Sequence, residues 1–143
     1  AMARDVAGNT ATSNGVTITV NNFVTPPSIT LTQTGGNTAV TEGGNTDAYS
    51  IVLGSVPTAN VTVTVTSQNT TTGVTVNSPL VFTPTNWNTP QTVTVTAVDD
   101  TSLEGTLSVN ISHSVTSSDA LYNGFAIQNV SVAITDNDWR TRF

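Results

Sequence analysis

Val98-Asp99-Asp100-Thr101-Ser102-Leu103-Glu104 puts three carboxylates within six positions of a chain in which only 8% of residues are charged. Carboxylates held that close repel one another, by roughly 4 kcal/mol per pair at about 4 Å and an effective dielectric near 20. Water can dilute such a cluster, but a cation neutralises it. The chemistry the run suggests is therefore binding of a hard cation, with calcium the natural choice. The rest of the chain would then have to deliver further oxygen ligands.

Other chemistries lack their parts. The chain has no Cys, so disulfides, thiol nucleophiles and zinc-thiolate sites are excluded. His113 is the single histidine, and no base can be paired with a nucleophile. There is no Lys, which rules out Lys–Asn isopeptide cross-links, and the only basic residues are Arg4, Arg140 and Arg142. A net charge of −6 with so few cations argues against nucleic acid or an anionic membrane as partner. No apolar run approaches the roughly 18 residues that a spanning helix needs.

The elements that must position the acids are strands. Thr, Val, Asn and Ser dominate, β-branched residues favour extended backbone, and no window shows apolar residues at helical spacing. Strand signals recur every 10 to 15 residues from Ser28 onward: 28–33, a short piece at 38–40, 47–53, 60–66, 74–76 continuing through 80–82, 90–98, 105–115 and 126–135. Apolar residues alternate with Thr or Ser along most of them, as in Val61, Val63 and Val65 against Thr62, Thr64 and Thr66. The pattern predicts an all-β, immunoglobulin-like antiparallel sandwich of about seven strands.

That topology gathers the acids. In sequential antiparallel strands, Glu42, the group Asp99, Asp100 and Glu104, and the pair Asp136 and Asp138 all fall in loops at one pole. Six of the nine acidic residues thus converge although they span nearly a hundred positions. Asp47 lies near the same pole and Asp119 at the opposite one. Convergence from three separate loops is a stronger metal signal than any single cluster.

Three stretches carry a family resemblance: VTEGG (40–44), FTPTNWNTPQTVTVTAVDDTSLEG (82–105) and VAITDND (132–138). They resemble, in the expected order, the Calx-β family of sodium–calcium exchangers, an integrin subunit and many bacterial surface proteins. The likeness covers about residues 28–138. It implies an immunoglobulin-like sandwich with Glu42, Asp99, Asp100, Glu104, Asp136 and Asp138 as Ca2+ ligands, and Asn137 as a further oxygen donor. Two departures reduce the expected number of ions to one or two. Residues 67–78 contain no carboxylate, and Gly105 stands where metal-rich members carry more acid.

Residues 1–27 are expected to be the tail of a preceding repeat plus a linker. Their Arg4–Asn22 stretch resembles the closing strands of bacterial immunoglobulin-like repeats, and Pro26-Pro27 breaks any continuing ladder. The alternating run Gly15-Val16-Thr17-Ile18-Thr19-Val20 could equally be an extra edge strand of the main sandwich. Residues 139–143 form a C-terminal tail, and Ala1-Met2 suggests a piece cut from a longer chain.

Other residues have ordinary readings. Trp87 is expected to plug the end of the core rather than stack on a sugar. Tyr122 should anchor the turn at 119–124, with Asp119 capping it. The Thr ladders at 62–66 and 92–96 keep exposed faces soluble and are not taken as ice-binding surfaces. The N-x-Ser/Thr matches at Asn60, Asn69, Asn110 and Asn129 are expected by chance in so Asn- and Thr-rich a chain.

The expectation is a non-enzymatic, Ca2+-binding structural or adhesive module of a multidomain bacterial surface or secreted protein. It would be monomeric, extracellular or at the cell surface, with neighbouring β-sandwich domains as partners and a cell-surface or matrix ligand as a further one. The alternative is a calcium-independent carbohydrate- or protein-binding accessory module.

Overall fold

The structure, a computed structural model, describes residues 2–4, 10–12 and 25–138. The run Gly15–Val20 and the tail 139–143 lie outside the described residues. Met2–Arg4 (β1) and Thr10–Thr12 (β2) pair antiparallel as a two-stranded ladder of their own.

Among the described residues nine strands build the sandwich: β3 (Ile29–Gln33), β4 (Thr38–Thr41), β5 (Asp47–Leu53), β6 (Val61–Ser67), β7 (Val74–Val76), β8 (Leu80–Phe82), β9 (Gln91–Ala97), β10 (Thr106–Ser117) and β11 (Val130–Thr135). One sheet has the order β4-β11-β10-β6-β8, the other β3-β5-β9-β7. The all-β sandwich expected from the alternation is what the chain forms.

The alternation fixes which faces meet. Tyr49, Ile51 and Leu53 of β5 and Val93 and Val95 of β9 are buried from one sheet. Val61, Val63 and Val65 of β6, Val109, Ile111 and Val115 of β10, and Val130, Val132 and Ile134 of β11 are buried from the other. Each fully buried Val, Ile or Leu stabilises by about 1.5–3 kcal/mol relative to exposure. Truncating Ile51, which is fully buried at the centre of β5, would cost about 2–5 kcal/mol.

Three features differ from the sequence reading. Residues 74–82 do not form one strand: β7 pairs with β9 in one sheet and β8 with β6 in the other. The side chain of Asn77 explains the break. Its Nδ2 donates to Thr92 O at 3.0 Å and its Oδ1 accepts from Thr94 N at 2.6 Å, taking the place of the next ladder step. Ser78 Oγ then accepts from Val65 N at 2.9 Å, so the chain has crossed to the facing sheet within one residue.

The last strand starts at Val130, not at 126, because β10 pairs with β11 only through Ile111 and continues beside β6 alone. Residues 125–129 have no strand pairing with any described residue. Finally, the sandwich contains one parallel pair, β4 with β11, from Thr38↔Val132 to Thr41↔Thr135. That pairing has a consequence for the site: two strands running side by side in the same direction leave the sheet at the same pole.

Candidate metal centre

β4 and β11 deliver the first two acids together. Glu42 follows Thr41, and its N–H donates to Thr135 O at 3.0 Å, which carries the parallel ladder one step beyond the strands. Asp136 follows Thr135. Ligand oxygens of Glu42, Asp136 and Asp138 all lie within 4.8 Å of one another. Glu42 is 1% exposed, whereas Asp136 and Asp138 are half-buried.

The loop between β9 and β10 brings the rest. Asp99 is exposed and Asp100 and Glu104 are half-buried. Asn137 Nδ2 donates to Asp99 Oδ1 at 3.2 Å, joining this loop to the end of β11. The fields of Asp100, Glu104, Asp136 and Asp138 all reach Glu42, and that of Asp99 reaches Asp138. All seven residues singled out in the sequence therefore meet at one pole. Asp47 does not join them: its carboxylate accepts from Ala39 N at 2.8 Å and Ala48 N at 2.7 Å, tying β4 to β5.

Within the cluster the carboxylates are not equivalent. Asp136 is strapped by backbone: its Oδ2 accepts from Glu104 N at 2.7 Å and Gly105 N at 2.9 Å, and its Oδ1 from Asp138 N at 2.7 Å. Those N–H groups, led by Gly105, hold its carboxyl below the usual range. Glu42 is the reverse case. Burial first, then the charges of Asp136, Asp100, Glu104 and Asp138, push it above the glutamate range. Glu104 and Asp138 are pushed up in the same way, by burial and then by neighbouring carboxylates.

Both oxygens of Glu42, Oε2 of Glu104 and Oδ2 of Asp138 are buried with no hydrogen-bond partner among the described residues. Buried polar atoms are rarely left so. Four such oxygens turned toward one acidic cluster fit a cation, and an all-oxygen set with loose spacing suits Ca2+ better than Mg2+ or a transition metal.

Gly43 is part of this geometry, and no pattern of residue types singles it out. It sits at φ +58°, in a turn closed by Gly44 N donating to Thr41 O at 3.0 Å. A Cβ there would lie 2.8 Å from Asn137 Nδ2 and 3.0 Å from Asp99 Oδ1. Only glycine allows the Glu42 turn to approach the other two loops so closely. The strapping of Asp136 by main-chain N–H groups was equally invisible, since a sequence does not display its amides.

The remaining candidates occupy ordinary places. Trp87 packs against the core and its carbonyl accepts from Leu53 N at 3.1 Å. Asp119 caps the turn at the opposite pole, and the Tyr122 hydroxyl bonds Ser55 there. His113 is half-buried between the sheets, with Nε2 2.7 Å from the Tyr49 hydroxyl.

Fold and site together define a β-sandwich with a carboxylate-built, cation-competent pole. No family model and no curated protein matches the sequence. Among solved structures the chain is similar to the apo-form Calx CBD1 domain, with 20% identity, a TM-score of 0.56, and 77% of this chain and 98% of that one covered. It is also similar to the calcium binding domain CBD12 of CALX1.1, at 18% identity and a TM-score of 0.54, over 76% of this chain and 45% of that one. The YadV chaperone aligns at 11% identity and a TM-score of 0.53, over 80% of this chain and 54% of that one. Likeness at these identities shows the fold, which is Calx-β-like.

Proposed function

We propose that this chain is a Ca2+-binding structural module in which the ion ties three loops at the pole where β11 ends. The observation that carries the reading is Glu42, a buried carboxylate whose two oxygens have no partner among the described residues and which lies beside Asp136 and Asp138. Glu42, Asp136 and Asp138 would form the inner part of the site. Asp100 and Glu104 complete it from the β9–β10 loop, and Asp99 and Asn137 seal its outer side.

Bound calcium would supply a positive charge that no described residue brings to this cluster. Its structural effect follows from where the ligands sit. They come from the ends of β4 and β11 and from the β9–β10 loop, so the ion would fix the direction in which the chain continues past Asp138. A module of this kind serves as a stiff spacer or adhesive arm, with neighbouring β-sandwich domains as its partners and no catalytic role. The calcium-binding domain named for a structural neighbour and the low charge of both sheet faces support this reading. A cysteine-free module stabilised by calcium would suit the outside of a bacterial cell, on a surface or secreted protein.

Thermal unfolding in millimolar Ca2+, in excess chelator and in Mg2+ tests the proposal. At a hundred times its dissociation constant a bound ion adds about 2.7 kcal/mol. A clear upward shift with Ca2+ and little with Mg2+ is the expected result. Coincident curves in all three conditions would remove the metal site.

A further inference from the structure

A pull along the chain reaches the sandwich at two opposite poles. Ser28 enters beside the end of β5, where its carbonyl accepts from Gly54 N at 2.8 Å. Asp138 leaves past the end of β11, at the pole that holds Glu42. Between them β3 and β4 both run toward the acidic pole, since β3 is antiparallel to β5 and β4 is parallel to β11. A load on Ser28 therefore draws β4 back toward the entry pole, while a load on Asp138 draws β11 out through the other. The load slides one strand along its parallel neighbour and across their ladder bonds, which must then yield together. Strands pulled apart from a shared end would instead lose those bonds one at a time.

Several contacts resist such sliding. The pair runs from Thr38↔Val132 to Thr41↔Thr135 and is extended by Glu42 N donating to Thr135 O at 3.0 Å. Thr38, Val40 and Glu42 at one side and Val132 and Ile134 at the other are buried, so sliding drags side chains through close-packed core. The outer side of β4 is pinned as well: Ala39 N donates to the Asp47 carboxylate, whose other oxygen holds Ala48 N on β5. Upstream, Thr38 Oγ1 donates to Gln33 Oε1 at 2.9 Å and braces the passage from β3 to β4.

We propose that the β4–β11 pair is a force-bearing clamp that holds the sandwich closed against tension along the chain, and that a cation at the acidic pole locks it. The lock rests on the calcium reading above; the clamp does not. Glu42 follows the end of β4, Asp136 and Asp138 follow the end of β11, and ligand oxygens of the three lie within 4.8 Å of one another. An ion there bonds to both sides of the sliding boundary.

Single-molecule stretching of the intact chain tests this. In chelator, one pull runs between tags on the two chain ends. A second runs between the exposed position Asn45→Cys and the C-terminal tag, which loads β4 and β11 from the same pole and peels them apart. The end-to-end pull should need about twofold more force or more, since forced unfolding reads the unfolding rate along the pulled direction. Ala39→Cys with Ala133→Cys localises the resistance. These alanines are exposed register partners, and neighbouring strands lie about 4.8 Å apart, within disulfide reach. With the disulfide closed the load bypasses the residues between them, so the main force peak and most of the released length should vanish and return in reductant. In millimolar Ca2+ the end-to-end force should rise, and Glu42→Gln should abolish that rise. Equal forces in the two geometries, or a main peak that survives the closed disulfide, would overturn the clamp. A force unchanged by Ca2+ although Ca2+ raises Tm would overturn the lock alone. A force and a Tm both unchanged by Ca2+ would remove the lock and the calcium reading together.

Discussion

Two buried carboxylates, one at each pole, show what decides the fate of a charge inside this sandwich. Asp119, 5% exposed, is fully answered by protein: its carboxylate accepts from Thr58 N at 2.7 Å and Leu121 N at 2.9 Å. Those bonds hold its carboxyl below the aspartate range. Glu42, 1% exposed, has no partner for either oxygen among the described residues and is pushed above the glutamate range. Both are acids placed by loops between strands. One pole is complete among the described residues, while the other has no positive charge among them.

The strongest way to break this contrast is Asp119→Ala. It removes the acceptor for two main-chain N–H groups and should lower Tm by several degrees, equally in Ca2+ and in chelator. A Ca2+-dependent loss would mean that the two poles are not independent.

Gly43→Ala comes next. A side chain at φ +58° costs about 1–2 kcal/mol in backbone strain, and the added Cβ presses on Asn137 and Asp99. Urea unfolding should show a lower midpoint with an unchanged slope, and calorimetric titration should show weakened Ca2+ binding. Normal affinity would place Asp99 and Asn137 outside the site.

Tyr49→Phe sharpens the comparison from between the poles. Burial raises the Tyr49 phenol well above its usual range, so the hydroxyl keeps its proton, and its oxygen lies 2.7 Å from His113 Nε2 in a hydrogen bond whose direction the imidazole tautomer sets. Burial also lowers His113, while the Gln128 backbone opposes this from a position short of hydrogen-bond geometry with Nδ1. Losing the hydroxyl should cost about 1 kcal/mol in urea unfolding, the same with and without Ca2+.

The pH dependence separates the carboxylates answered by backbone N–H groups from the unanswered ones by sign. In chelator, Glu42, Glu104 and Asp138 have folded values above their unfolded ones, so their contribution is fully present below about pH 4 and is lost as pH rises through the folded values. Asp119 and Asp136 are depressed, so their contribution is present above about pH 3.9 and is lost as pH falls through the folded values. His113, held neutral by burial, loses its contribution as pH falls below about 6.5. Subtracting the chelator profile from the Ca2+ profile cancels His113. The difference in Tm should grow from pH 5 to pH 8; a flat difference would contradict the assignment of the raised group.

Where alternation alone sets an element, the sequence was enough. The span 47–53 matches β5 residue for residue, because Tyr49, Ile51 and Leu53 alternate cleanly. The convergence of seven polar residues at one pole was legible too, because strand direction dictates which loops share an end. Side chains that replace backbone were not legible. Asn77 occupies a ladder position and splits one expected strand between two sheets. Ala126-Ile127-Gln128 alternates like a strand, yet it lines a groove instead of pairing. The parallel β4–β11 pair, which sets Glu42 beside Asp136, is a long-range choice that no local pattern encodes.

Glu42→Gln tests the central claim most directly, because the account requires its effect to change sign with calcium. Melting curves of the variant and the unmodified chain would be recorded at pH 7.5 in chelator and in millimolar Ca2+. In chelator the substitution removes an unanswered buried charge and should raise Tm. In Ca2+ it removes a ligand and should shrink or abolish the stabilisation by the ion. A variant less stable in chelator that still gains as much from Ca2+ would contradict the account, for Glu42 would then be a structural residue and the acid pole no metal site.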